Sequence, residues 1–188
     1  MTPAGVPVRG RRCRTSALEM LEILRMNAYS MSFAGALLER GFWLYVWRVN
    51  DEQRTVFYVG RTGDSSSAHA SSPYRRASQH LDDKPKAKAN ALHRCLRAAD
   101  IEPKRCRFEL FGIGPLYPEQ ASVEQHRPLR DEAAALERAV ADHLREQGLT
   151  VLGAHPRAAR PDAALLREAL RLVDECLQGG LERVALGR

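Results

Sequence analysis

The sequence predicts an α/β fold of the α+β type, in which a small three-stranded antiparallel sheet is flanked by helices. Two short runs at 42–49 and 55–61 are rich in aromatic and β-branched residues and are separated by a polar break, which is typical of a β-hairpin. A third run at 105–112 alternates apolar and polar residues and predicts one more strand. Apolar residues recur at helical spacing over 128–147, which predicts the strongest helix of the chain.

Composition indicates one ordinary domain with appended helices. The chain has 188 residues, of which 44% are hydrophobic and 28% charged. Its 29 basic and 23 acidic residues give a net charge of +6, which favours a polyanionic partner such as DNA. We expect no secretory signal and no membrane span, because no long apolar run is present. The four cysteines lack zinc-site spacing, so we expect reduced thiols and a cytoplasmic protein.

The chain is expected to divide into four consecutive segments: 1–14, 15–40, 41–154 and 155–188. The first is rich in Pro, Gly and Arg and is expected to be a disordered basic tail. The second is expected to be a helical extension, because Ser16 and Glu19 form a capping-box pattern at its start. The third is the core domain. The fourth is expected to contain a linker and then an amphipathic helix at 161–177.

Shorter elements are expected inside the core domain. Pro73 suits the first position of a helix at 73–81, and a second helix is predicted at 86–99. Gly, Pro and Gln predict a loop at 112–127, ahead of the long helix. Residues 150–153 are expected to form either a short edge strand or an extended segment.

The predicted hairpin brings two phenols to one face of the sheet. Strand alternation separates its apolar residues into two sets, which are Phe42, Leu44 and Val46 on one face and Trp43, Tyr45 and Trp47 on the other. A tight turn at Asp51–Glu52 would put Tyr45 directly opposite Tyr58. Gly60 then ends the second strand without a side chain, so a bulky group can approach the backbone there.

A guanidinium and an imidazole follow the hairpin. Arg76 and His80 are four residues apart and therefore lie on one side of the predicted helix. An arginine is planar and always charged, which suits bidentate contact with phosphate oxygens. A histidine accepts or relays protons near neutral pH. A tyrosine with its ordinary pKa near ~10 is a poor base, but a neighbouring cation makes its phenolate accessible. Together these groups are suited to a phosphodiester.

Glu137 is a candidate cation ligand on the long predicted helix. No residue three or four positions from it carries a charge, so it has no ion-pair partner along the helix. Magnesium binds proteins through one or two carboxylates and keeps most of its water. Glu132 also lacks a helical partner, but acidic residues are common in the first turn because they complement the helix dipole. We therefore favour Glu137.

The order of these motifs resembles the GIY-YIG nuclease domain over about 42–153, more than half of the chain. The motifs are W-L-Y at 43–45, Y-V-G at 58–60 and Arg-x3-His at 76–80. The resemblance implies a nuclease core, DNA as partner, Mg²⁺ (or Mn²⁺) as cofactor and Glu137 as its ligand. It implies five catalytic residues, which are Tyr45, Tyr58, Arg76, His80 and Glu137. It favours Tyr45 as the base and Tyr58 as a positioning group, although the residues alone do not rank them.

Basic side chains predict where DNA would lie. Arg61 follows the Y-V-G motif and is expected to contact a phosphate. Lys84, Lys86, Lys88 and Arg94 give the second short helix a positive side. This positive side is either a track for a DNA backbone or a solvated helix face.

Two positions depart from the family pattern. Trp43 stands where the family usually has glycine, and 148–155 contains no asparagine where the family usually has one. His155 is a candidate substitute. The favoured function is a metal-dependent DNA endonuclease that hydrolyses phosphodiester bonds. The alternative is a catalytically weakened or inactive nucleic-acid-binding module of the same fold, and a third is a structural protein that assembles through its terminal helices.

Overall fold

The structure is a computed structural model that describes residues 27–63, 67–84, 86–155 and 159–185. Its strands are β1 Phe42–Asn50, β2 Thr55–Arg61, β3 Arg107–Tyr117 and β4 Val151–Leu152. Its α-helices are α1 Pro73–His80, α2 Ala91–Ala98, α3 Val123–Glu146 and α4 Ala163–Ala185, with 3₁₀ turns at Gly35–Leu38 and Pro103–Arg105. Contacts divide the chain into Met1–Phe33 and Ala34–Arg188, and all of these elements belong to the second unit.

The α+β class is confirmed, but the sheet has one strand more than predicted. Its order is β3-β1-β2-β4, with β1 antiparallel to both β2 and β3. The additional strand β4 is short and runs parallel to β2, so the sheet is mixed. Residues 150–153 therefore follow the edge-strand alternative. β3 extends to Tyr117, which means that the loop predicted at 112–127 was wrong at its start.

The β1–β2 connection is longer than the tight turn predicted at Asp51–Glu52. Pairing ends at Asn50 and Thr55, so four residues rather than two join the strands. The Asp51 carboxylate accepts hydrogen bonds from the backbone amides two and three positions further on, at 2.7 and 2.8 Å. These hydrogen bonds form an Asx turn, which stabilises the four-residue loop. The predicted two-residue turn was wrong for this reason.

The wider loop changes the strand register by two residues. Tyr45 pairs with Gly60, and Tyr58 pairs with Trp47. The predicted opposition of the two tyrosines was therefore wrong. Their common face is nevertheless preserved, since a shift of two residues leaves every side chain on its side of the sheet. The two phenols are diagonal neighbours.

The two faces of the sheet pack against different helices. Leu44 and Val46 belong to a core with Leu136 and Val140 of α3 and with apolar residues of α4. On the other face, buried side chains of β1 pack with α2: Tyr45, Trp47, Leu92 and Leu96. The predicted alternation along β1 is confirmed for these central residues.

Several helix boundaries differ from prediction. α3 begins at Val123 rather than 128, because the Ser122 hydroxyl caps it by accepting a hydrogen bond from the Gln125 amide at 3.3 Å. Pro128 lies inside that helix. α2 begins at Ala91 rather than 86, so the preceding lysines lie in an irregular segment. Among the helices of the described residues, none combines the length and apolar character needed to cross a bilayer.

The terminal segments also differ. Of the helix predicted within 15–40, residues 27–34 are irregular and only Gly35–Leu38 forms a 3₁₀ turn. The rest of that prediction, and the tail predicted at 1–14, lie outside the described residues. α4 begins at Ala163, after the Asp162 carboxylate has accepted hydrogen bonds from two following backbone amides at 2.9 Å. It extends beyond the predicted end at 177.

A buried arginine joins α4 to the sheet. Arg48 lies on β1 and is only 4% exposed. Its guanidinium donates to the Glu109 carboxylate at 3.1 Å and to the backbone carbonyl of Leu177 at 2.6 Å. It also lies over the ring of Phe111, 5.3 Å from the centroid. These contacts link the central strand, β3 and the C-terminal helix.

Candidate active site

The site begins where the ring of Tyr45 lies across Gly60. A Cβ atom at Gly60 would come within 2.5–2.6 Å of the ring and hydroxyl atoms of Tyr45. Glycine is therefore required for the two strands to pair in this register. The close approach predicted at Gly60 is present, and the group that approaches is a phenol of the protein itself.

His80 lies between the two tyrosines. Its Nε2 is 2.6 Å from the Tyr45 hydroxyl, and its ring centroid is 5.6 Å from that of Tyr45 and 5.3 Å from that of Tyr58. It is the last residue of α1 and is 1% exposed. α1 begins after Ser72, whose hydroxyl accepts a hydrogen bond from the Arg75 amide, and this cap fixes where the helix starts.

The hydrogen-bond partners of Tyr45 and His80 favour one tautomer of His80. The Tyr45 hydroxyl donates to the backbone carbonyl of Arg61 at 3.2 Å. If His80 Nε2–H donates to the phenol oxygen, both groups are satisfied and only the Nδ1 lone pair lacks a partner among the described residues. The opposite tautomer would leave a buried N–H donor without a partner, which is more costly. His80 is therefore placed to stabilise negative charge on the Tyr45 oxygen.

Burial sets the protonation of these three groups. Desolvation raises the pKa of Tyr45 far above its ordinary value, with Tyr58 adding to the effect and Arg76 opposing it. Desolvation, followed by the charge of Glu137, raises the pKa of Tyr58 to about 12. Burial and the charge of Arg76 lower the pKa of His80 to about 4. At neutral pH both phenols are therefore protonated and the imidazole is neutral.

The depressed pKa of His80 predicts an acid-sensitive fold. Unfolded His80 takes up a proton near its ordinary pKa of 6.5, whereas the folded residue does so only near 4. The unfolded state therefore binds more protons in this window, and the free energy of unfolding should fall as the pH drops from 6.5 to 4. Urea unfolding across this range should show a shallower pH slope for His80→Gln than for wild type. Equal slopes for wild type and His80→Gln would contradict the prediction.

Arg76 brings hydrogen-bond donors to the same place. One terminal nitrogen donates to the Gln79 side chain at 3.2 Å, while the buried Nε has no hydrogen-bond partner within the described part of the chain. Its charge lowers the pKa values of Tyr45, Tyr58 and His80. The Arg76 guanidinium is thus surrounded by three neutral groups and keeps an unused N–H donor. Such a group is suited to bind an anionic ligand.

Glu137 reaches this cluster from α3, on the other face of the sheet. Strand alternation places Arg61 on that same face, and its Nε lies 3.2 Å from a Glu137 oxygen. β4 pairs only with the middle of β2, so the end of β2 lacks a neighbouring strand on that side. Burial raises the pKa of Glu137, while the charges of Arg61 and Arg76 lower it. The charge of Glu137 in turn raises the pKa values of both tyrosines.

The donor set fits a hydrated cation with a single protein carboxylate. No group of three or more His, Cys, Asp or Glu side chains among the described residues is arranged to hold a metal. The Glu137 side chain is 24% exposed and can be reached from solvent. Mg²⁺ and Mn²⁺ bound through one carboxylate, water and substrate phosphate match this arrangement, whereas a closed protein cage does not.

The predicted DNA-binding residues are divided between two places. Lys84, Lys86 and Lys88 are exposed in the irregular segment before α2. Arg94 is exposed on α2, close enough to Tyr58 to lower its pKa. Arg61 is paired with Glu137 and donates to the carbonyl of Gly63 at 2.9 Å. The sequence did not indicate this pairing.

The two positions that depart from the expected pattern make defined contacts. Trp43 is 2% exposed and lies against β3, where a Cβ atom at Gly114 would be 3.0 Å from its ring. Its bulk is therefore accommodated by a glycine of β3. His155 Nε2 is 3.2 Å from the carbonyl of Val59, and its Nδ1 is 3.0 Å from an Arg145 nitrogen. The carbonyl can only accept, so His155 donates through Nε2 and supports the open edge of β2.

One residue near the site was missed by the sequence analysis. Gly153 follows β4 with φ +87°, and a Cβ atom there would be 3.3 Å from the ring of Tyr58. The glycine that ends the short edge strand was the available signal, since glycine both adopts this conformation and leaves room for an aromatic ring.

Searches of family models, curated proteins and solved structures returned no match to this chain. The side chains of the candidate site are contributed by β1, β2, α1 and α3.

Proposed function

We propose that this protein is a metal-dependent endonuclease that hydrolyses phosphodiester bonds in DNA, as its resemblance to the GIY-YIG nuclease domain implies. One observation carries the proposal. The five residues selected from the sequence lie on four separate elements and interact electrostatically around the open end of β2: Tyr45, Tyr58, Arg76, His80 and Glu137. An ordinary sheet surface does not require such an arrangement.

Arg76 is the group best suited to the scissile phosphate. Its buried Nε lacks a partner among the described residues, and the acceptors that its guanidinium does meet, the Gln79 side chain and the Tyr45 phenol, are neutral. A phosphate would supply two oxygens to a planar fork of donors. Its charge would also counter the extra negative charge that develops during hydrolysis.

Tyr45 is the proposed base or orienting group for the attacking water. Its pKa is raised by burial, so it needs positive charge and hydrogen-bond donors to become a phenolate. His80 Nε2–H and Arg76 supply both. Tyr58, whose pKa is about 12, remains protonated and is suited to position water or phosphate by donating its hydroxyl hydrogen.

Glu137 is the residue that would hold the cation. When a divalent cation is bound there, Glu137 would place its positive charge where it can stabilise the phosphate and the leaving group. Its carboxylate comes from α3 on one face of the sheet, whereas the phenols lie on the other face, so the phosphate would lie at the open end of β2.

Arg76→Ala tests the proposal directly. Supercoiled plasmid is incubated with purified protein in Mg²⁺ and in EDTA, and nicked product is measured beside DNA affinity. We expect wild type to nick only with Mg²⁺, and Arg76→Ala to lose about 10²–10³-fold in rate but less in affinity, because transition-state charge is lost. Arg75→Ala, which removes an exposed arginine from the same helix, is the matched control and should cut normally. Normal cutting by Arg76→Ala would remove Arg76 from the site.

A binding module without turnover is the second candidate. It is favoured by the Arg61–Glu137 ion pair, because this pair occupies the only carboxylate proposed for the cation. The same assay separates the two candidates. DNA binding without Mg²⁺-dependent cutting, on supercoiled, linear and branched DNA, would support the module and contradict the nuclease.

A further inference from the structure

The Arg61–Glu137 ion pair lies at the centre of the proposed cation site. Arg61 Nε and a carboxylate oxygen of Glu137 are 3.2 Å apart, but Nε has no partner of hydrogen-bond geometry among the described residues. The side chains are 20% and 24% exposed, so solvent reaches the pair. Arg61 also donates to the carbonyl of Gly63 at 2.9 Å. The guanidinium therefore forms an ion pair with the carboxylate, but its Nε does not donate a well-aligned hydrogen bond to it.

The charges around this ion pair oppose the binding of a cation in the DNA-free protein. Two cationic groups, Arg61 and Arg76, share one carboxylate, while the neighbouring phenols and His80 are neutral at pH 7. The DNA-free site is therefore positive before any metal enters. A divalent cation would have to bind a carboxylate that is already neutralised, against the repulsion of two guanidinium groups.

A phosphodiester changes this balance. Its negative charge offers Arg61 a new partner, with two oxygens that match the geometry of a guanidinium. Movement of Arg61 from carboxylate to phosphate would leave Glu137 free and bring anionic oxygens next to it. Both changes favour a divalent cation, which commonly combines protein carboxylates with substrate phosphates.

We infer that Arg61 is a gate on the cation site, closed in the free protein by its ion pair with Glu137 and opened by a DNA phosphate. The inference rests on the proposed nuclease function. Its consequence is that DNA and cation bind cooperatively, and this coupling must be equal in both directions. The free protein would hold Mg²⁺ weakly and assemble a complete site only on DNA.

Mn²⁺ binding, followed by electron paramagnetic resonance, tests the gate without relying on activity. In the absence of DNA, Arg61→Gln should bind Mn²⁺ at least about tenfold more tightly than wild type, because its carboxylate is no longer neutralised. Arg61→Lys, which keeps the charge, should resemble wild type. Arg75→Gln controls for the general loss of one positive charge near the site. Arg61→Gln combined with Glu137→Gln should lose the gained affinity.

A short DNA duplex supplies the second arm of the experiment. It should raise the Mn²⁺ affinity of wild type by a similar factor and that of Arg61→Gln much less. Equal Mn²⁺ affinity of wild type and Arg61→Gln without DNA would overturn the gate. If wild type nevertheless cuts plasmid with Mg²⁺, the nuclease proposal stands and only the gate fails. Absence of both cutting and Mn²⁺ binding in every protein would overturn both. Thermal unfolding identifies any variant that fails to fold, and Arg61→Met then replaces Arg61→Gln.

Discussion

Glu137→Gln is expected to abolish Mg²⁺-dependent plasmid cutting, by about 10³-fold or more, while the protein remains folded and binds DNA. The substitution keeps the shape of the side chain but removes the negative charge that would hold the cation. Loss of a cation that stabilises both phosphate and leaving group removes several kcal/mol of transition-state stabilisation, which corresponds to this factor. Loss of its partly exposed ion pair with Arg61 should change the free energy of unfolding by only about 1 kcal/mol.

Glu132→Gln is the matched control for this prediction. Glu132 lies on the same helix, and its carboxylate accepts a hydrogen bond from the Asp162 amide at 2.6 Å. A glutamine oxygen can accept the same bond, so we expect normal folding and cutting. Loss of cutting in Glu132→Gln with normal cutting in Glu137→Gln would reverse our assignment of the cation ligand. Nicking by Glu137→Gln at the wild-type rate would remove the carboxylate from the mechanism.

Arg48→Met is expected to lower the free energy of unfolding by about 2–4 kcal/mol. The substitution leaves the Glu109 carboxylate without its donor and removes one hydrogen bond to the Leu177 carbonyl, and removing one partner of a buried ion pair is strongly destabilising. We place the value below that of a wholly buried pair because the Glu109 side chain is 23% exposed and can be hydrated. Urea unfolding with an unchanged m value measures the effect.

Arg105→Met shows whether burial is the cause. Arg105 pairs with Glu52 through contacts of 2.8 Å, but its side chain is 65% exposed and that of Glu52 is 70% exposed. We expect its loss to leave the free energy of unfolding almost unchanged, because exposed ion pairs contribute little to stability. Equal destabilisation by the two substitutions would show that Arg48 does not join α4 to the sheet in the way described.

Local patterns predicted much of the fold. Apolar periodicity identified α3 and its buried leucines, and strand alternation correctly separated Tyr45 from Leu44. Boundaries were predicted less well where a side chain capped an element unexpectedly. The Ser122 cap makes α3 begin before Pro128, where the helix was predicted to start. The hydrogen bonds of the Asp51 carboxylate stabilise a longer hairpin loop than the predicted two-residue turn. Such caps depend on one or two side-chain hydrogen bonds, which apolar periodicity does not reveal.

The sequence by itself determined which chemical groups are available and which face of its strand or helix each one occupies, because these follow from the periods of local backbone structure. Only the tertiary structure decided which of these groups contact one another. It laid Tyr45 across Gly60, placed His80 between two phenols and paired Arg61 with Glu137. These contacts join distant parts of the chain, and their geometry depends on register and on the packing of α1 and α3 against the sheet. Local sequence patterns do not specify that packing.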